Sequence, residues 1–243
     1  MAHMDNLGDV QSSIPQGGAA SPAEVARFDA LADQWWNPAG PMRPLHAMNP
    51  LRVGWIADRL PKPGPLLDVG CGAGLAAEAL ARRGHTVLGI DAAPRPLQAA
   101  RAHAAVGMAV QYRLASTSDL VAEGAVFPAI TALEVIEHVP DPAGFFHDLG
   151  ALLTPGGRLF VSTLNRTARS LVTAKWGAEY VLRMLPVGTH DWRRFVTPAE
   201  LARHARAAGL RMTDSAGMRF DPFRQSWVMS RDLSVNYIAA FAR

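Results

Sequence analysis

With 243 residues, 49% of them hydrophobic, and a formal charge of +3, the sequence has apolar content for one buried core and reads as a single catalytic domain. No stretch approaches the ~18 uncharged apolar residues of a membrane span, so the chain is expected to be soluble or peripheral to a membrane. Its single cysteine, Cys71, excludes an intrachain disulfide and a thiolate zinc cluster and fits a reducing cytoplasm.

Residues 1–22 are rich in Gly, Ser, Gln and Ala, lack a basic start followed by an apolar run, and are expected to form a flexible tail without a secretory signal. The domain is then 23–243. Ser21-Pro22-Ala23-Glu24 reads as an N-cap, a first-turn proline and an N3 acid, opening a helix that carries Val25, Phe28, Leu31 and Ala32. Pro38, Pro41 and Pro44 interrupt regular structure, and a short helix is expected from Asn49-Pro50 through Leu51, Val53, Trp55 and Ile56. These helices, within 23–60, are the candidate lid.

After the proline-rich linker at 61–65, strand-like and helix-like runs alternate. Strands are expected at Leu66–Val69, Thr86–Ile90, Val110–Leu114, Ala129–Leu133 and Arg158–Ser162, with helices at Leu75–Arg83, Arg95–His103 and Pro142–Leu153. An insertion at about 166–192 precedes a helix capped by Thr197 and ended by Gly209. Two last strands, Leu210–Thr213 and Val235–Phe241, follow each other without a helix, which lets them pair antiparallel at one edge. The expected fold is therefore α/β and Rossmann-like: a mainly parallel seven-stranded sheet with an antiparallel edge strand and helices on both faces. Arginines at 193, 194, 203, 206, 211, 219, 224 and 231 crowd the C-terminal part, but no aromatic-basic nucleic-acid motif accompanies them, so a solvated face is expected there.

Asp68-Val69-Gly70-Cys71-Gly72-Ala73-Gly74 joins an apolar strand to an Ala/Leu-rich helix. Glycines at such a turn let a ligand approach the backbone, and helix amides favour electron-rich groups. Asp91 ends the next strand beside this loop, where a carboxylate can accept bonds from both ribose hydroxyls of a nucleoside; its plainer role is to cap the following helix. Dinucleotide folds use Gly-x-Gly-x-x-Gly. Here residues 70–74 read Gly-x-Gly-x-Gly after Asp68, and Leu75 stands where a dehydrogenase places a small residue. The loop thus points to S-adenosylmethionine (AdoMet), with Asp68, Gly70, Gly72, Gly74 and Asp91 as candidate contacts.

Further segments carry a resemblance: Arg27-Phe28-Asp29-Ala30, Trp35-Trp36, His46, Asn49-Pro50-Leu51-Arg52, Glu134-Val135-Ile136-Glu137-His138-Val139-Pro140-Asp141 and Ser162-Thr163-Leu164-Asn165-Arg166. Gly177-Ala178-Glu179-Tyr180, Gly188-Thr189-His190-Asp191 and Val235-Asn236-Tyr237 complete it. Over roughly residues 24–240 the chain resembles the ubiquinone-biosynthesis O-methyltransferases, of the class I AdoMet-dependent methyltransferase fold. The resemblance implies methyl transfer to phenolic hydroxyls of polyprenylated rings at both O-methylation steps, and AdoMet contacts at Arg52, Gly70, Asp91 and Leu133. For Arg52, a guanidinium in the cleft can hold the methionine carboxylate; a surface ion pair is the alternative. The sequence departs from the family at Pro128, where related chains often carry an acid, and over Leu114–Asp119, where Ser118 or Asp119 is the candidate adenine contact.

Glu134, Glu137 and His138 follow the fourth strand, and in a helical turn their i, i+3, i+4 spacing places them on one face. They are candidate ligands of a hard divalent ion such as Mg²⁺, which would lower the acidity threshold of a catechol. Alternatively His138 or Glu137 acts directly as the base, or His138 and Asp141 only brace the loop. An AdoMet-binding scaffold without catalysis, serving a membrane-associated complex, is the rival function. Ser170–Pro186 is the candidate contact with an anionic membrane or the prenyl tail: wound at ~100° per residue, Leu171, Ala174, Ala178, Val181, Leu182 and Leu185 share a face, and Trp176, Tyr180 and Met184 make a second ridge. The expected location is cytoplasmic and peripheral on the inner face of the plasma membrane.

Overall fold

The computed structural model describes residues 20–171, 192–221, 223 and 226–243. The expected tail up to residue 19, most of the 166–192 insertion and nearly all of the Ser170–Pro186 stripe lie outside the described residues.

Helix α1 (Pro22–Leu31) starts as its sequence dictates, with Ser21 Oγ accepting from the Glu24 amide at 3.3 Å. Helix α2 (Arg43–Ala57) differs from expectation, beginning six residues before Asn49 with Pro44 in its first turn and continuing through Pro50. The first turn tolerates Pro44, since its missing N–H has no partner there in any helix. Pro50 removes one internal bond, which the burial of Val53, Trp55 and Ile56 beyond it outweighs.

Strands β1 (Pro65–Val69), β2 (Thr86–Asp91), β3 (Val110–Leu114), β4 (Phe127–Leu133) and β5 (Leu153–Leu164) alternate with helices α3 (Leu75–Ala81), α4 (Pro94–His103), α5 (Thr117–Ala122) and α6 (Pro142–Leu152). Helix α5 went unrecognised in the sequence. It is only six residues long, and its signal is the capping box in which Ser116 and Asp119 exchange side-chain and backbone bonds. Pro128 sits at a shift of register between Phe127 and Ala129, a position where a strand loses nothing by lacking an amide donor. Helix α7 (Pro198–Ala207) carries the expected Thr197–Glu200 capping box and ends before Gly209 at φ 75°.

The sheet has eight strands rather than seven, in the order β3-β2-β1-β4-β5-β8-β6-β7. Those from β3 to β5 are parallel; β8 (Asn236–Ala242) is antiparallel to both β5 and β6 (Arg211–Asp221), and β7 (Ser226–Ser230) folds back antiparallel on β6. The expected antiparallel pairing of the two last strands is thus present as β6–β8 at one end of the sheet, with β7 as an added hairpin strand outside β6 and β8 inserted between β5 and β6. Its composition explains the place: every residue from Asn236 to Ala242 is buried, so the strand needs a neighbour on each side and cover on each face.

Successive strand residues feed opposite cores, as the pleat requires. Leu67, Ile130, Leu159 and Ala239 pack with Phe145, Phe146 and Leu201 of α6 and α7. Leu66, Ala129, Phe160 and Ile238 pack with Val53, Ile56, Ala77 and Leu80 of α2 and α3. A smaller cluster of Trp35, Met42, Ala73 and Leu75 seats the N-terminal segment on the glycine loop, and Asp29 and Asp33 hold it to Arg95 at 3.0 and 2.8 Å. Among the described residues no helix is long and apolar enough to cross a membrane.

Candidate functional site

The carboxyl ends of the parallel strands open into one cavity of about 1460 Å³, lined by Asp68 to Gly72, Asp91, Ala115 to Thr117, Leu133 to Val135 and Leu164, with Arg52 from α2 and Phe28 and Trp35 from the N-terminal segment. It lies where strand order reverses between β1 and β4, the usual ligand crevice of an open α/β sheet.

One half of its wall is backbone. Gly70 and Gly72 hold φ of 65° and 53°, in the left-handed region, and a Cβ on Gly72 would overlap the Trp35 indole. Gly74 forms the N-cap of α3, with the Tyr112 ring packed against its Cα. Asp91 secures the loop: Oδ2 accepts from the Gly72 amide and Oδ1 from the Ala93 amide, both at 2.8 Å. The capping and cofactor readings of Asp91 are therefore compatible, since each carboxylate oxygen keeps a second lone pair for a ribose hydroxyl. Burial raises its pKa and the two amides oppose that rise. Leu133 lines the cavity at the end of β4. Ser118 and Asp119 do not line it; the Asp119 Oδ2 is spent on Ser116, and Ala115, Ser116 and Thr117 face the cavity in their place.

Two charged side chains on this wall are short of partners. Asp68 is buried, with Oδ1 accepting from Thr131 Oγ1 at 2.7 Å and Oδ2 accepting from nothing. Burial pushes its pKa up to about 6, against the pull of Thr131 and Arg52. Arg52 is buried too, and not at the surface: Nη1 lies 3.5 Å from Glu134 Oε1, while Nε has no hydrogen-bond partner. Its pKa is lowered by burial, opposed by Glu134 and Asp68. A buried polar atom without a partner costs about 1–3 kcal/mol. A ligand end carrying both a carboxylate and an ammonium group, as the methionine part of AdoMet does, supplies a partner for each.

The other half of the wall is made of side chains. Glu134 adopts φ 57°, the one non-glycine residue with positive φ among those described. Its amide donates to Ser162 O at 2.9 Å and its Oε1 accepts from Ser162 Oγ at 2.7 Å, which hold it in a conformation costing about 1–3 kcal/mol. Glu137 is buried with Oε2 accepting from Thr163 Oγ1 at 2.9 Å. Burial and then the neighbouring Glu134 push its pKa up to about 8. His138 turns the other way, toward α1: Nδ1 lies 3.0 Å from Glu24 Oε2, and its ring meets Phe28 edge-on at 5.1 Å. Burial lowers its pKa, with Glu24 opposing. Glu24 is also 3.3 Å from Arg194 and 3.5 Å from Arg27.

The expected metal set is therefore not assembled. A left-handed Glu134 followed by a single 3-10 turn at Ile136–His138 breaks the i, i+3, i+4 face: the two glutamates approach each other and the histidine points away. Among the described residues no three His, Cys, Asp or Glu side chains are spaced to hold a metal ion. Asp141 caps α6, its Oδ1 accepting from Ala143 N at 3.1 Å. Sequence reasoning missed Thr131, Ser162 and Thr163 as supports, and read Glu24 only as a cap acid. The quoted segments 177–180 and 188–191 lie outside the described residues.

A methyltransferase-domain profile matches residues 47–215. The ubiquinone biosynthesis O-methyltransferase of Methylocella silvestris is 45% identical, the match covering 93% of this chain and 95% of that one; the Azorhizobium caulinodans protein of the same name is 47% identical over 89% and 91%. The chain belongs to the ubiquinone biosynthesis O-methyltransferase family. Among solved structures, this methyltransferase shares its fold with magnesium protoporphyrin IX methyltransferase from Synechocystis PCC 6803 with bound S-adenosylhomocysteine (TM-score 0.64, 19% identity, 90% of this chain and 94% of that one). It is similarly close to the N-methyltransferase NodS from Bradyrhizobium japonicum (TM-score 0.60, 18% identity, 91% and 97%). The enzyme is an AdoMet-dependent methyltransferase, and its glycine loop with Arg52, Asp68 and Asp91 is the part of the cavity whose chemistry suits that cofactor.

Proposed function

We propose that the enzyme methylates phenolic hydroxyls of polyprenylated rings at both O-methylation steps of ubiquinone biosynthesis, with His138 as the general base. The names of the relatives support the substrate class. The observation that carries the mechanism is that His138, with Glu24 3.0 Å behind it, lines the same cavity as the glycine loop.

AdoMet supplies an electrophilic methyl group on a sulfonium. The chain's part is alignment and proton removal. Arg52 and Asp68 hold the amino-acid end, Asp91 the ribose, Gly70 and Gly72 admit the ligand to the backbone, and Leu133 packs against it. Gly74 lies off the cavity wall, against Tyr112, and acts only as the N-cap of α3. His138 is neutral because burial lowers its pKa. Its ring lines the cavity with Nδ1 3.0 Å from Glu24 Oε2, where an imidazole can take up the phenolic proton. The proton passes to the imidazole as the oxygen takes the methyl group. Glu137 is the poorer base, since a carboxyl pushed up to about 8 is protonated at neutral pH. No step is routed through Mg²⁺: Glu134 Oε1 already meets Arg52 and Ser162, and His138 faces α1.

The remaining assignments rest on sequence: a tail at 1–22 ahead of the domain, a cytoplasmic enzyme peripheral to the inner face of the plasma membrane, and 170–186 as a contact with anionic lipid. The deciding experiment incubates the pure enzyme with AdoMet and a polyprenyl catechol, with and without a chelator, and follows the methyl ether by mass spectrometry. Product formation in both arms is expected. AdoMet binding without product would leave the scaffold reading, and product lost in chelator but restored by Mg²⁺ would replace direct base catalysis with a metal-assisted route.

A further inference from the structure

Three asparagines are buried among the described residues, and they are not wired alike. Asn49 and Asn165 each spend the donor end of the amide on a main-chain carbonyl, Nδ2 donating to Leu75 O and to Leu233 O at 2.8 Å, and neither lines the cavity. Asn236 is the reverse. It is the first residue of β8, 5% exposed and on the cavity wall, and its Oδ1 accepts from the Met218 amide at 3.0 Å. A main-chain N–H can only donate, so this bond fixes which end of the amide is oxygen and leaves Nδ2 as the free end. Nδ2 donates to nothing among the described residues. The bond to Met218 has a structural purpose: the β6–β8 ladder ends at the Gly217–Tyr237 pair, and Oδ1 serves the next β6 amide. That purpose uses the carbonyl half alone, and a carboxylate would meet it as well. A buried NH₂ group is costly to leave without an acceptor, so the donor half is not accounted for by folding.

The pleat sets where that donor lies. Tyr237 packs in the core of α6 and α7 and Ile238 in the core of α2 and α3, so Asn236 shares the α2 face of the sheet with Ile238. Ser162 and Leu164 of β5 alternate onto the same face as Phe160; Leu164 stands opposite Asn236, and Ser162, which holds Glu134, stands opposite Ile238. Asn236 and Ser162 are therefore diagonal neighbours, at the roughly 7–8 Å of such pairs. Between Ser162 and Leu164, Thr163 holds Glu137, the residue before His138. We propose that Asn236 is a substrate-positioning residue whose Nδ2 donates a hydrogen bond to a second oxygen of the acceptor ring, vicinal to the hydroxyl that is methylated. The acceptor ring is part of the function proposed above, on which this inference rests. The two oxygens of a catechol are chemically similar, and a base beside the sulfonium methylates whichever one is presented to it. A donor fixed on one side decides which. A neutral amide suits the task, because hydroxyl and ether oxygens both accept a hydrogen bond, and the same contact serves a ring whose neighbouring oxygen is free and one whose neighbouring oxygen already carries a methyl group. A cation in its place would favour ionisation of the held oxygen over the reacting one.

The test compares the full-length wild type with Asn236→Asp, which keeps an acceptor for the Met218 amide and replaces the donor by an oxygen, and with Asn236→Ala, which removes both. Each is assayed with AdoMet on an unsymmetrical alkylcatechol and on the alkylphenol that lacks its second hydroxyl. The wild type is expected to favour the catechol in kcat/KM and to form one of the two monomethyl ethers in excess. Both substitutions should lower kcat/KM on the catechol by about 10- to 100-fold, the range for one hydrogen bond lost in a buried site, and change it on the phenol by less than about threefold. The ratio of the two ethers should move toward unity. AdoMet affinity should stay within about twofold, and Asn236→Asp should melt close to the wild type. An equal fall on catechol and phenol overturns the proposal, as does an unchanged ether ratio, since a residue that only ends the β6–β8 ladder would move both substrates alike. Calorimetric titration of the two acceptors into the enzyme holding S-adenosylhomocysteine makes the comparison without turnover: the catechol's advantage in Kd should be present in the wild type and absent from Asn236→Asp. Should the wild type methylate neither acceptor, the proposed function falls, and this titration still decides the role of Asn236.

Discussion

The two halves of the cavity wall are built on different principles. The cofactor half is contiguous in sequence: Asp68 to Gly74 and Asp91 stand at the ends of neighbouring strands, and the loop does its work through main-chain amides and missing Cβ atoms. The acceptor half is assembled from afar: Glu24 on α1 meets His138, Ser162 on β5 meets Glu134, and Thr163 on β5 meets Glu137. A backbone-built site holds its shape before the ligand arrives. A side-chain-built site depends on how the N-terminal helices pack, because α1 supplies the Glu24 carboxylate beside His138, the proposed base. Variants in the two halves should therefore separate binding from chemistry.

The largest separation is expected from His138→Gln, which keeps the size and polarity of the ring edge but removes the proton acceptor. Turnover should drop by ~10²–10⁴-fold, the range for losing a positioned acid–base group, with AdoMet affinity changed by less than about threefold. Stopped assays of the methyl ether and calorimetry with AdoMet read the two quantities; a parallel loss in both would merge the halves that the geometry keeps apart. The mirror experiment is Gly72→Val. A branched residue at φ 53° costs about 1–2 kcal/mol, and its Cβ would drive Trp35 off the loop. AdoMet affinity should fall on the order of 100-fold, and Asp91→Ala should follow at about 10- to 100-fold through loss of its bonds to Gly72 and Ala93. Unchanged affinity in both would remove the cofactor assignment.

This contrast also explains what was legible in the sequence. Short contiguous signals, such as the glycine loop, the Thr197–Glu200 capping box and the alternating strands, are written within a few residues of each other and read correctly. The start of α2 was misjudged because three prolines read locally as breakers, while tertiary burial of Val53, Trp55 and Ile56 decides the helix. The hairpin strand β7 is short and only half-buried, so its alternation is weak and it went unrecognised in the sequence. The metal set failed for a backbone reason: no side-chain spacing announces that Glu134 will take a left-handed conformation. Pairings such as Glu24 with His138 depend on how the lid packs, and no local pattern carries that.

The dependence of the acceptor half on the lid is sharpened by Glu24→Gln. The substitution keeps the length of the side chain but removes the charge facing His138. Because the Glu24 anion raises the histidine pKa, its loss lets burial and the nearby Arg27 and Arg194 lower that pKa further. The acid limb of kcat/KM against pH should then move to lower pH, and the plateau should fall by about tenfold as the neutral ring loses its orienting acceptor. A fall in the plateau with an unmoved limb would mean that Glu24 only packs the lid.

The smallest effect is one of stability, and it isolates the pair of glutamates from the chemistry. The Glu137 pKa is raised to about 8 in the fold, above the ordinary carboxylate value of 4.5, chiefly by burial and next by Glu134. Between those values the unfolded chain has released this proton and the folded chain still holds it, so the folded state binds more protons and stability declines as pH rises. The contribution is fully present below about pH 4.5 and is lost by about pH 8, beyond which both states are ionised. Glu137→Gln keeps a neutral hydrogen-bonding group beside Thr163 and carries no such slope. Relative to wild type it should therefore gain in melting temperature between pH 5.5 and pH 8.5, by several degrees on the scale of about 2–4 °C per kcal/mol for a chain of this size. Scanning calorimetry of both proteins across that interval gives the answer: parallel melting curves would show that Glu137 is ionised throughout, and would return it to consideration as the base.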